Sequence, residues 1–417
     1  MRSLPGSTPT PWPVSGDGVH VGRALTLPTP DLSDESLAEV TAEVAATAAE
    51  YDRSAAIPTR GIEVAHRAGL LTATVAERDG GPGASPLDVA RILVALGEGD
   101  PSVALLAANT LAIHGAHAAT GHWPAAAYAD LLRRSADGPA LVNAIRAEPE
   151  LGAPARGGLP ATVARRTADG WSLSGRKAYA TGGTALAYHV VWAVADEPHG
   201  DPDRPRVGHV VVPGEAAGIT WVDTWDHLGL RASNTHDVVY DDVRVPVDAF
   251  IELPRVDGVY RDLASATSPT SFGYPALYVG VARAARAAFV RFARDRVPTA
   301  LGTPIAQTER IQAVAGEIDA QIAQAEALLY GTLLRIEAGD TRHLPQLSLL
   351  KVQIGRSAVA AVQTAVAALG NPALSRHLPF ERHLRDVLCV RVHPPQEDAA
   401  LLAAGRRLLV PTTGGTS

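Results

Sequence analysis

The sequence predicts an α+β chain in three folded parts: an N-terminal helical domain over 31–139, a middle β domain over 140–255 and a C-terminal helical domain over 256–417. Three observations predict it. Alanine-rich sequence with few helix breakers runs from Asp31 to about Ser135. Short β-rich runs separated by Gly, Pro and Asp fill the stretch from Ala140 to Ile251. From Ser265 onward apolar residues return at helical spacing.

Residues 1–30 are rich in Pro, Gly and Ser and lack the apolar run of a signal sequence, so they read as a flexible arm. Asp31-Leu32-Ser33-Asp34-Glu35 then supplies an N-cap followed by acidic residues that favour a helix start. Arg78-Asp79-Gly80-Gly81-Pro82-Gly83 breaks the helical texture as a loop. In the middle domain His189 to Ala195 and His209 to Val212 read as strands. The run Leu228 to Thr235 reads as a turn, leading into a strand that ends at Pro246. Farther on, Tyr278, Ala282, Ala285, Phe289 and Phe292 share one helical face, with Arg283, Arg286 and Arg294 on another. Ile311, Val314, Ile318, Ile322, Ala325 and Leu329 repeat the pattern.

With 417 residues and 46% hydrophobic content the chain can bury a large core. Its net charge of -7, with both signs interspersed, offers no basic stripe, so no nucleic-acid partner is expected. No apolar stretch reaches the roughly 18 residues needed to span a membrane, so no membrane partner is expected either and a cytoplasmic address follows. The single cysteine, Cys389, excludes an internal disulfide and a cysteine-based metal centre. Its surroundings, Val387-Leu388-Cys389-Val390, read as those of a packed thiol, and no metal site is expected.

Several separated motifs together resemble the acyl-CoA dehydrogenase superfamily. These are Leu228-Gly229-Leu230-Arg231-Ala232-Ser233-Asn234-Thr235 followed by Asp241-Asp242-Val243-Arg244-Val245-Pro246, the stretch Asp169 to Gly183, and Glu381-Arg382-His383-Leu384-Arg385-Asp386. The resemblance implies a helical domain, a β-barrel-like domain and a four-helix bundle arranged around a flavin. By position it implies that Tyr179 covers the flavin ring, that Thr181 donates near N5, and that Gly182, Arg231 and Ser233 share that environment. In Val142 to Pro149 only the Glu148-Pro149 end keeps the family pattern. Ala147 stands for the usual threonine and Ala144 for the usual aromatic. Arg296, Gln307 and Gly370 match elements that complete the flavin site across a subunit boundary, which implies a homotetramer or homodimer. Gly370-Asn371 replaces a glycine pair, so both FAD and FMN stay open.

On the family's spacing after Asp386, the position of the catalytic glutamate holds Pro394, and on the alternative spacing before Gly280 it holds Thr270. Neither can remove an α-proton. The loop offers His393 instead. With His114 on the preceding helical domain and Asn143 on the first strand, it resembles the flavin-dependent monooxygenase branch that includes dibenzothiophene monooxygenase and the amino-sugar N-oxygenases, which implies catalytic roles for His393, His114 and Asn143, the two histidines titrating near neutral pH to move protons. The resemblance implies reduced flavin supplied by a separate flavin reductase, O2 as co-substrate and a small organic substrate. Two rivals stand beside it: an acyl-CoA or acyl-carrier-protein dehydrogenase with Glu397 as a relocated base, and a non-catalytic flavin-binding descendant.

Overall fold

A computed structural model describes residues 26–151, 158–201, 204–256, 259–260 and 273–410. The N-terminal domain holds α1 (Asp34–Ser54), α2 (Thr59–Arg67), α3 (Pro86–Gly99), α4 (Pro101–Thr120) and α5 (Ala125–Asp137). Ser33 caps α1 by accepting the Ser36 N–H, and Ser85 and Asp88 cap α3 reciprocally. The Gly-rich loop follows a single 3-10 turn at Glu77–Asp79.

The middle domain comprises β1 (Leu141–Ile145), β2 (Val163–Arg166), β3 (Gly170–Ala180), β4 (Leu186–Asp196), β5 (Val207–Pro213), β6 (Ile219–Val222), β7 (His236–Pro246) and β8 (Phe250–Glu252). These form one sheet in the order β6-β7-β3-β2-β4-β5-β8, with β1 added beside β4. The path is open among the described residues, since its end strands β6 and β8 do not pair. Asn143 lies opposite His189, and Ala180 opposite His236, so the end of β3 meets the start of β7. The Glu148 end of the first motif is a buried ion pair. Its Oε1 lies 2.7 Å from Lys177 Nζ, and the carboxylate also accepts the Ala161 and Thr162 N–H groups and the Thr162 hydroxyl.

The C-terminal domain holds α6 (Tyr274–Asp295), α7 (Glu309–Glu337), α8 (Leu347–Leu369), α9 (Asn371–Leu374), α10 (Phe380–Leu388) and α11 (Glu397–Leu409). Ser265 and Thr270 lie outside the described residues. The arginine face of α6 turns toward α7, where Arg283 pairs with Glu326 and Arg286 with Asp319. Helix α11 starts at Glu397. Gln396 is the extended cap, and Glu397 and Asp398 occupy the first turn, where the helix dipole favours them.

The expectation that no segment could span a membrane needs correction. The stretch Leu344–Leu369 is long and apolar enough by length and composition, although half of its most apolar window is buried in the protein. Ile354, Ala358, Ala361, Val362 and Ala365 have no exposed surface, as in a core helix hydrophobic on most sides.

The Glu381 to Asp386 motif joins all three domains. Asp386 accepts the Leu230 N–H at 2.7 Å, and Arg385 grips both oxygens of Asp52 on α1. Gly229 lies so close that a Cβ there would sit 2.3 Å from the Arg385 carbonyl. The turn signature and the C-terminal signature are therefore two halves of one contact.

Candidate functional site

The end of β3 is held by hydroxyls. Ser233 and Thr235 hydroxyls bond each other at 2.7 Å, and Thr235 donates to Thr181 Oγ1 at 3.1 Å. Because Thr181 already accepts, its own proton is free for a further acceptor. Gly182 follows with φ +105°, a conformation that favours glycine, and a Cβ there would meet Leu186 at 2.7 Å. Its N–H donates to the Ser233 carbonyl. Asn143 sits on β1 next to Val142, which packs in the apolar cluster containing Tyr128 and Trp123. The amide of Asn143 donates to the Thr181 carbonyl at 3.1 Å.

Helix α4 links this cluster to the C-terminal domain. Thr110 accepts the Val142 N–H, while its neighbour Asn109 accepts the Tyr274 hydroxyl at 2.6 Å. Tyr274 and Tyr278, one turn apart on α6, both pack against His393. The ring centroids lie 6.0 and 5.7 Å away, and Tyr278 Oη is 2.8 Å from His393 Nδ1. The loop carrying His393 is pinned by Lys351 on α8, whose buried ammonium donates to the carbonyls of Val390 (2.7 Å), His393 (2.8 Å) and Pro395 (3.2 Å). Burial, aided by the nearby Lys351 charge, lowers the His393 imidazole to about 4, so it is neutral at pH 7 and does not titrate near neutrality as the sequence suggests.

The other predicted residues fall in three places. His114 is fully buried within the N-terminal domain, bonded through Nδ1 to the Tyr128 hydroxyl at 3.1 Å, with Nε2 lacking a partner. Burial, then the neighbouring His117, lowers it to about 3. No described contact joins it to His393 or Thr181. Tyr179 is 58% exposed, with φ +59°, its ring edge-on to His227, which stacks on Trp225 at 3.7 Å. Ala147 contributes its carbonyl, accepting the Ala178 N–H. Arg231 is a domain tie, its Nε donating to the Asp52 carbonyl at 2.9 Å.

Arg296, Gln307 and Gly370 lie on the exposed surface of the C-terminal domain. Arg296 lines a cavity of about 380 Å³ together with Arg291, Phe292, Leu378, Pro379 and Phe380. Glu397 pairs with Arg356. Cys389 is partly buried, its thiol pushed up to about 12 chiefly by burial.

Tyr278 is legible from sequence as a helix-face residue but its hydroxyl contact is not, and Lys351, Thr235 and Asn109 carry no role there that sequence alone assigns. Two tyrosines one turn apart on a buried face were a usable signal, since each hydroxyl needs a partner.

Helix, sheet and helix domains meeting at this cluster define the three-domain architecture of the acyl-CoA dehydrogenases. Models of the acyl-CoA dehydrogenase N-terminal, middle and C-terminal domains match residues 31–122, 144–243 and 272–395. The chain belongs to the acyl-CoA dehydrogenase family. It is 28% identical to the putative acyl-CoA dehydrogenase YdbM of Bacillus subtilis (strain 168), over 88% of this chain and 94% of that one. It is 30% identical to L-evernosamine nitrososynthase of Micromonospora sp. (strain ATCC 39149 / NRRL 15099 / SCC 1413), over 84% and 83% of the two chains. A solved structure of KijD3 in complex with FMN and dTDP-3-amino-2,3,6-trideoxy-4-keto-3-methyl-D-glucose matches with TM-score 0.77 at 26% identity, covering 93% of this chain and 97% of that one.

Proposed function

We propose that the chain binds a flavin beside Thr181 and acts as a reduced-flavin-dependent monooxygenase on a small organic molecule. A separate reductase supplies the reduced flavin. The fit rests on the hydroxyl chain, which leaves the Thr181 proton free for an acceptor such as a flavin ring nitrogen. When bound, reduced flavin supplies two electrons. One atom of dioxygen enters the substrate, and the other leaves as water. The chain's part is to hold the ring through Thr181, whose carbonyl Asn143 fixes, exclude water with the tyrosines of α6, and offer a proton-bearing group at His393.

The observation that carries this reading is the pairing of a tyrosine-held His393 with a proline at the next position, while Glu397 is engaged by Arg356. The names of the nitrososynthase relatives make an amino group on a sugar the first substrate class to assay. Stopped-flow mixing of the reduced, flavin-loaded protein with dioxygen tests the reading. A transient absorbing species before the oxidised spectrum returns is expected. Direct reduction of the bound flavin by an acyl-CoA would support the dehydrogenase and overturn the proposal.

Thr181→Val removes the free hydroxyl and is expected to weaken flavin binding or shift its potential. A lost hydrogen bond to a buried group costs about 1–3 kcal/mol, up to roughly a hundredfold in affinity. Titrations with FAD and FMN that match wild type, with an unmoved potential, would remove Thr181 from the site.

We further propose that the chain works as a homotetramer or homodimer. Leu401, Leu402, Leu408, Leu409 and Val410 on and just after α11 are exposed in the single chain, the kind of apolar surface that another copy covers. Light scattering at micromolar concentration should return a multiple of the 43.4 kDa chain, and a flavin-loaded monomer would refute the assembly.

A further inference from the structure

We propose that Tyr278 is the positioning residue that fixes the tautomer of His393, so that the ring presents an N–H at Nε2 to a bound substrate. This deepens the oxygenase reading and rests on His393 facing the substrate. Tyr274 and Tyr278 lie four residues apart on one face of α6, and their rings meet His393 at interplanar angles of 63° and 52°. Their hydroxyls do different work. The Tyr274 hydroxyl donates to Asn109 Oδ1, whereas the fully buried Tyr278 hydroxyl has one described partner, Nδ1 of His393 at 2.8 Å.

That single partner decides where the protons sit. If Nδ1 carried the hydrogen, the phenolic O–H would be buried with no acceptor, which disfavours that arrangement by roughly tenfold to a hundredfold. With the phenol donating, Nδ1 accepts and the imidazole hydrogen resides on Nε2. The Nε2 atoms of His114 and His189 are buried without partners, whereas His393 is only partly buried.

Backbone and charge support the same arrangement. Lys351 holds the carbonyls of Val390, His393 and Pro395, which fixes the loop against α8 and keeps the ring against the two tyrosines. The sequence has only two lysines, Lys177 and Lys351, and both are buried. Burial and the Lys351 ammonium keep the ring neutral near pH 7, where a neutral imidazole must adopt one tautomer or the other. An Nε2–H suits an electron-rich oxygen or nitrogen, and it cannot take a proton from carbon. The Tyr278 contact thus argues for a donor at this position, in place of the base that a dehydrogenase uses.

The test is the 15N spectrum of the full chain labelled at histidine, with the His393 signals assigned by their loss in His393→Gln. We expect an Nε2–H ring in wild type and a shift toward mixed tautomers in Tyr278→Phe, whose ring volume is nearly unchanged. In turnover, Tyr278→Phe should lower kcat by about tenfold with little change in KM, a smaller loss than that of removing the imidazole. An Nδ1–H signal in wild type would overturn the proposal, and that spectrum alone decides it should Tyr278→Phe fail to fold. An unchanged spectrum in a folded Tyr278→Phe would overturn it equally. An Nε2–H signal that depends on Tyr278 supports it even if His393→Ala keeps full turnover, and in that case the oxygenase reading fails while the tautomer assignment stands.

Discussion

His393→Ala is expected to leave flavin affinity close to wild type and to lower stability by about 1–3 kcal/mol, since the buried Tyr278 hydroxyl loses its partner, while lowering substrate oxygenation by ~10²- to 10⁴-fold, the range of a lost acid-base group. Hydrogen peroxide should rise as product falls, because oxygen activation would continue without transfer to substrate. The expectation follows from position. The imidazole packs against Tyr274 and Tyr278, and its loop is tied to α8 through three carbonyls, so truncating the side chain leaves the backbone anchors in place. Glu397→Gln should be mild, since this carboxylate pairs with Arg356 at the start of α11. Peroxide and product assays on both variants decide between the readings. An active His393→Ala beside a dead Glu397→Gln would reverse the proposal in favour of the dehydrogenase.

The fold was legible because its signals are local and repeated. Apolar spacing on α6 and α7 marked faces that are buried at Tyr278, Ala282, Ala285, Phe289, Ile311, Ile318, Ile322, Ala325 and Leu329. Ser33 was readable as a cap because the preference arises from one short-range hydrogen bond. The site was only half legible. Thr181 and His393 stand out by residue type and spacing, but the Ser233–Thr235–Thr181 hydroxyl chain depends on β3 meeting the turn before β7. Likewise the Tyr278–His393 contact joins residues 115 positions apart, and no local pattern carries that information. His114 shows the opposite difficulty. Its residue type suggested chemistry, while the structure gives it a buried tyrosine partner in the N-terminal core. A lone lysine in the apolar helix α8 was a usable signal, since a buried ammonium must find acceptors.

Gly97→Ala is expected to destabilise the protein by about 3 kcal/mol or more, the upper end of the range for overpacking a filled contact. Helices α3 and α6 cross backbone to backbone at a pair of glycines. A Cβ on Gly97 would lie 2.2 Å from the Leu277 carbonyl oxygen, and one on Gly280 would lie 2.3 Å from that of Val94. Neither neighbour is the end of a flexible side chain, so relief requires the helices to separate and open the core on both sides of the crossing. Helix α6 also carries Tyr274 and Tyr278, so any shift that accommodates the new methyl moves the tyrosines that hold His393. Activity should therefore fall together with stability. Gly316→Ala on α7 is the control, because nothing lies within 4 Å of its would-be Cβ. There the same methyl should stabilise by about 0.5–1 kcal/mol through helix propensity. Thermal melts of the two variants should thus move in opposite directions from wild type. A Gly97→Ala protein that melts with wild type and keeps its activity would mean that the crossing yields easily and does not set the position of α6.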